Sequence, residues 1–216
     1  MRQISRLLVI AVSTALLITL SSCSSTQSTL EADDQPSTPI ENREMTTDVQ
    51  ENKANGDSPQ GSVTDAANFE ILENEDGTVT ISRYIGTETG IVIPPQIGGK
   101  NVSAIGNVTG TTGAFEGCAN ITAVVIPDGV TEIQDNAFYG CTSLETVTIP
   151  SSVTLLRNCA FCDCPNLRAV YFKGDTPQQA NYVFDSTENV TMYYQDGTSG
   201  WENPWHGRPA EVYIPE

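Results

Sequence analysis

Histidine is almost missing from this chain: one residue in 216, His206, close to the C-terminus. That leaves little room for imidazole acid–base chemistry or for a histidine-ligated metal. Also missing are a glycine-rich phosphate loop, a serine nucleophile elbow, carboxylates paired in a recognisable motif and a spaced Asp-x-Asn-x-Asp calcium loop. No enzyme is expected, and no cofactor or metal. Bases are scarce as well, with ten Lys and Arg against 27 Asp and Glu and a formal charge of −17. Residues 69–216 alone hold 18 acids and six bases. That field opposes nucleic acid and anionic lipid as partners, and suits a basic partner or divalent cations.

Long apolar runs are lacking too. Leu7 to Leu20 spans 14 residues, short of the ~20 that a membrane span needs. With Arg2 and Arg6 before it, the run reads as a targeting segment over residues 1–22. Leu20-Ser21-Ser22-Cys23 fits a bacterial lipobox, so Cys23 is expected to become a lipidated N-terminus carrying palmitate-type chains; ordinary signal cleavage beside an incidental cysteine is the alternative. Each buried CH₂ of an acyl chain contributes about 0.8 kcal/mol, so two or three chains anchor durably. The lipid would be the only membrane contact, placing the protein in the cell envelope, facing outside the cytoplasm.

Ser24 to Asn68 contains no aromatic residue and carries nine acids against Arg43 and Lys53. Such a segment buries too little apolar surface to offset its chain entropy. Residues 23–68 therefore read as an anchor and acidic tether, with a receptor-binding tail as the alternative. The folded domain is expected over 69–216.

Within that domain the sequence repeats. AFEGCANITAVVIPDGVTEIQDN, from Ala114 to Asn136, runs directly into AFYGCTSLETVTIPSSVTLLRNC and then AFCDCPNLRAVYFKGDTPQQANY. The first two of these 23-residue units agree at nine positions. Phe115, Phe138, Phe161 and Phe184 keep the spacing into a partial fourth unit, as do Ile121, Leu144, Leu167 and Val190. Inside a unit Leu144, Val147 and Ile149 alternate with Thr148 at strand period, pointing to the opposite face. Pro150 and Pro127 then end their strands for want of an N–H. Ser151–Thr154 reads as a turn, and Ala137-Phe138 as the return path. One coil cannot bury its own apolar edge, so neighbours must stack on it. Columns of Phe, of Leu/Ile/Val and of Cys (118, 141, 164) are the expected core. A repeat of 20–30 residues with one short apolar strand marks a β-rich leucine-rich solenoid with parallel strands and atypical ends.

The Ile-Pro strand end, the Val-x-x-Ile turn and the AF-x-x-C-x-x-L run resemble the BspA-like leucine-rich repeat of bacterial surface proteins, over roughly Ile91 to Tyr194. The resemblance implies a right-handed solenoid, export and, in several relatives, adhesion; it implies no shared ligand. Departures are visible. Pro94 to Pro127 is ten residues too long, with Gln96–Lys100 and Gly106–Gly113 the expected insertions. Thr187 replaces the column cysteine, and Val183 the alanine. Phe69–Tyr84 alternates around Asp76-Gly77, a hairpin signal, and is expected to cap the first coil. Trp201 and Trp205 either cover the last coil or form a sugar-stacking platform.

Cys159 and Cys162 have Asn136 and Tyr139 as counterparts one unit earlier. With Cys164 they could make a disulfide, a redox pair or half a zinc site. Zinc lacks ligands here and redox motifs open a helix. A disulfide, Cys159–Cys162 or Cys162–Cys164, is therefore expected under oxidising conditions.

Four stacked strands should turn Ala123 and Val125, Thr146 and Thr148, Ala169 and Tyr171, and Met192 and Tyr194 outward. That neutral strip gains aromatic character toward one end, and aromatic residues dominate binding hot spots. Tyr171, Tyr194 and Met192 are the expected centre of a face for an extracellular protein or glycan, presented by a monomer. Packing of the tyrosines beneath the C-terminal cap is the competing reading. A structural or antigenic envelope module with no dedicated ligand is the alternative function.

Overall fold

A computed structural model of the chain describes residues 61–107 and 112–214. The targeting segment, Cys23 and the tether up to residue 60 lie outside the described residues. The packed body begins before Phe69. Thr64 is buried, its N–H donates to the Val92 carbonyl (2.9 Å) and its hydroxyl accepts from the Val92 N–H (3.1 Å). A 3-10 turn over Ala66–Asn68 follows, capped by Asp65. The boundary expected at 69 is thus moved back, because Thr64 satisfies an edge-strand backbone pair that would otherwise stay open.

Among the described residues thirteen strands follow. β1 (Phe69–Glu73) and β2 (Val79–Tyr84) form the expected antiparallel hairpin. β3 (Gly90–Val92), β4 (Gln96–Ile97) and β5 (Lys100–Ile105) make the first, enlarged coil. Then come β6 (Ala123–Val125), β7 (Glu132–Ile133), β8 (Thr146–Ile149), β9 (Leu155–Leu156), β10 (Ala169–Phe172), β11 (Gln178–Gln179), β12 (Thr191–Gln195) and β13 (Ala210–Tyr213). Two sheets result. One runs β3-β6-β8-β10-β12-β13, and the other β2-β5-β7-β9-β11 with β1 and β4 at its margins.

Each coil therefore contributes two strands. The stretch after Pro150 turns only briefly before Leu155–Leu156 pairs parallel with β7 and β11. Two-residue strands leave too little alternation to be read from sequence.

Register follows the repeat. Val124, Val147 and Val170 pair in succession at 23-residue spacing. Ile91 pairs with Val124, 33 residues on, and Ile105 with Ile133, 28 on. The ten inserted residues thus divide five and five. The first five form the β4–β5 hairpin, where Gly98 and Gly99 take φ of 61° and 77°, values the tight turn needs and side chains disfavour. The second five lie between β5 and Ala114.

The core is the set of columns foreseen. Phe115, Phe138, Phe161 and Phe184 stack at centroid distances of 4.8, 5.1 and 5.4 Å with interplanar angles of 13°, 3° and 7°. Tyr84 caps the column from the hairpin, 5.3 Å from Phe115. Ile121, Leu144, Leu167 and Val190 are buried. The return path is bonded coil to coil: Phe115, Phe138 and Phe161 donate their N–H to the carbonyls of Ala137, Ala160 and Val183 at 2.7–2.9 Å.

At the far end Trp201 and Trp205 lie against the last coil. Trp201 stacks on Tyr194 (5.1 Å, 3°) and tilts against Phe172 (4.8 Å), and Trp205 is buried. They serve as the cap. Beyond them β13 adds one more parallel strand, and β3 another at the opposite edge, so among the described residues this sheet has six strands rather than the four expected.

Candidate functional site

The outer face of the six-stranded sheet is fixed by strand register. Val92, Val125, Thr148, Tyr171, Tyr193 and Glu211 form one row across it, and Gly90, Ala123, Thr146, Ala169 and Thr191 a second. Thr146, Thr148, Ala169 and Tyr171 are on the side expected. Met192 and Tyr194 are not. Met192 pairs with Val170 and is fully buried, and Tyr194 pairs with Phe172 and stacks beneath Trp201.

The cause is a missing residue. Val147 to Val170 is 23 residues, but Val170 to Met192 is 22, because Val190 is followed by one residue, not two, before the inward strand position. A one-residue slip carries every side chain of a strand to the opposite face. Thr191 and Tyr193 therefore take the outward places given to Met192 and Tyr194. The signal was present in the apolar alternation of Val190, Met192 and Tyr194, but counting from Phe184 at the fixed period concealed it.

The outward tyrosines cluster. Tyr171 stacks on Tyr193 (5.2 Å, 19°) and meets Tyr213 edge-on (5.3 Å, 76°). Tyr193 and Tyr213 are half-buried, whereas Tyr171, Ala169 and Thr148 retain only 8, 8 and 3% of their exposure. The middle of the strip is thus more covered than expected, and its accessible part lies at β12 and β13. The strip also ends on a charge. Burial, then the neighbouring Glu211 carboxylate, push the Tyr193 phenol up, and burial does the same for Tyr213. Both rings stay neutral hydrogen-bonding groups across the physiological range. Arg168 and Glu145 form an exposed ion pair beside the second row, of a kind worth little to stability.

The cysteines divide by environment. Cys159 and Cys162 are joined as a disulfide, with Cα atoms 4.6 Å apart, and Cys164 stays a buried thiol. Of the two pairings open from sequence, this is the one across a single turn. Cys141 Sγ donates to the Phe115 carbonyl and Cys164 Sγ to that of Phe138, both at 3.1 Å. Thr187 repeats the contact through Oγ1 to Phe161 at 2.8 Å, and also accepts the Cys164 N–H at 3.1 Å. The column thus demands a small donor, a demand that cysteine and threonine both meet. Burial pushes the Cys141 thiol up, and that of Cys164 up to about 12. Among the described residues no group of His, Cys, Asp and Glu side chains gathers as a metal site, and no helix is long and apolar enough to cross a membrane.

The comparisons agree with this geometry. Residues 110–198 match the model of the BspA type leucine rich repeat region, in six copies. Solved structures are similar as well. A leucine rich repeat protein of T. pallidum is 22% identical with a TM-score of 0.52, over 72% of this chain and 84% of that one. A leucine rich cell surface protein of Faecalibacterium prausnitzii is 31% identical with a TM-score of 0.51, over 74% of this chain and 44% of its own length. A leucine-rich repeat protein of Bacteroides capillosus is 26% identical with a TM-score of 0.51, over 61% and 99%. No curated protein matches the chain. The described residues fold as a β-rich repeat solenoid with parallel strands, in keeping with that similarity.

Proposed function

We propose that this chain is a lipid-anchored protein of the cell surface, without enzymatic activity, that holds an extracellular partner (protein or glycan) against the outer face of its six-stranded sheet. The observation that carries the reading is the cluster of Tyr171, Tyr193 and Tyr213 at one end of that face, on a chain with formal charge −17. Rigid aromatic groups in a neutral strip supply binding energy at low entropic cost. The F. prausnitzii relative is described as a cell surface protein, which supports the location. Six strands span only ~24 Å, so one contact is modest and tethered copies add avidity.

The test is the double change Tyr193→Ser and Tyr213→Ser, read as monovalent binding to a panel of matrix proteins and glycans. Loss of two anchors of ~1 kcal/mol or more each should weaken binding by about 30-fold or more. A variant that melts like the parent and binds equally well would remove the face from consideration. The anchor is tested by Cys23→Ala, which should free a folded domain from the membrane fraction; unchanged retention would refute lipidation there.

A further inference from the structure

The last coil departs from the repeat at several positions, and the departures meet in one cleft. In the sheet that holds β7, β9 and β11, the inward place held by Ile133 and Leu156, both fully buried, passes to Gln179. The repeat calls for an apolar side chain there. Gln179 Oε1 is buried without a hydrogen-bond partner. Opposite, from the C-terminal cap, comes Arg208. Its Nη2 donates to the Phe184 carbonyl at 2.8 Å, which sets the guanidinium, and its Nε is likewise buried and unpaired. Both residues line a cleft of about 430 Å³, within the range of ~300–1,000 Å³ usual for small-molecule sites.

The rim is aromatic. Tyr182 occupies the place of Asn136 and Cys159 in the coil, keeps their left-handed backbone (φ 63°) and is 70% exposed. A bulky residue held there without burial gains nothing for packing, and strain of this kind gathers at functional positions. His206, itself at φ 48°, stands edge-on to Trp205 at 5.0 Å and completes the rim. Asp185 also faces the cleft.

We propose that this cleft binds a neutral sugar residue of a glycan. Gln179 Oε1 needs a donor and Arg208 Nε an acceptor, and a hydroxyl group is both. Turning the Gln179 amide over exchanges acceptor for donor, and a hydroxyl still answers it. A carboxylate would satisfy Arg208 but confront Asp185, on a chain already at −17. Tyr182 and His206 line the same cleft, where their rings would stack against the apolar side of a pyranose. The site lies apart from the tyrosine cluster and does not depend on the reading of the sheet face.

The test uses the purified full chain with methyl glycosides of glucose, galactose, mannose and N-acetylglucosamine, followed by saturation-transfer NMR and titration. At least one neutral glycoside should bind, and Gln179→Leu should weaken it at least tenfold. That variant restores the Ile133–Leu156 column and should melt no lower than the parent, so lost binding reports the site and not the fold. Tyr182→Asn, which restores the earlier unit's residue, should weaken binding as well. Tyr193→Ser should leave it unchanged, which separates this site from the sheet face. Binding of glucuronate alone, full binding by Gln179→Leu, or no binding by any glycoside, with the unpaired groups merely bridged by water, would each overturn the proposal.

Discussion

Removing one ring from the phenylalanine column gives the sharpest test of the fold. Phe138 is fully buried, with Phe115 at 4.8 Å on one side and Phe161 at 5.1 Å on the other. Phe138→Ala deletes a side chain that neither neighbour can replace, since each is held by its own coil through backbone bonds to the next. Truncation of a well-enclosed Phe costs ~3–5 kcal/mol, a large share of the ~5–15 kcal/mol that holds most domains. Phe184 is 6% exposed and has only Phe161, at 5.4 Å, as a ring neighbour. Phe184→Ala should therefore cost about 2–3 kcal/mol, near the low end for such truncations. Phe115 now counts as an inner position, because Tyr84 closes the column above it, and should behave like Phe138. Urea unfolding of the purified chain, followed by tryptophan fluorescence and circular dichroism, measures the differences. Solenoids distribute stability through neighbour interfaces, so coincidence of the two probes should be checked for each variant. Losses below about 1 kcal/mol at all three positions, or a larger loss at Phe184 than at Phe138, would refute the stacked column.

Three further outcomes follow from the structure. Thr187→Val should cost about 1–3 kcal/mol by stranding the buried Cys164 N–H, whereas Thr187→Cys, which restores the repeat, should cost clearly less; equal melting of the two would show that the column needs volume only. Peptide mapping of the oxidised protein should recover Cys159 joined to Cys162, with Cys141 and Cys164 alkylated only after unfolding; a Cys162–Cys164 link would contradict the structure. Stability should also decline in alkali. The folded Cys164 thiol lies above its ordinary value, at about 12, so its contribution is complete below the unfolded thiol's pKa of ~8.5 and is lost as pH rises toward the folded value, at up to about 1.4 kcal/mol per pH unit. Cys164→Thr should flatten that slope between pH 9 and about 11.5 in urea titrations; an unaltered slope would assign the decline to other groups, such as Tyr84, whose phenol is raised by burial and by Glu88.

The repeat by itself determined the architecture. A 23-residue period with Phe, Leu and Val in fixed places permits only stacked coils, because a single coil leaves its apolar edge in water. The hairpin cap and the ten-residue excess before Pro127 were legible for the same reason, since each interrupts a pattern that is otherwise strict, whereas the tryptophans left a cap and a sugar platform both open. Three things needed the tertiary structure. The two-residue strands β7, β9 and β11 carry too few residues for a pattern and exist only because neighbouring coils offer them partners. The register of β12 depends on a single missing residue, and only pairing with β10 reveals which side Met192, Tyr193 and Tyr194 face. The meeting of Gln179 with Arg208 joins segments 29 residues apart, and no local pattern connects them. Sequence periodicity specifies what repeats, since every coil must solve the same packing problem. Where the repeat breaks, the outcome depends on contacts between coils, and those are settled only by the folded chain.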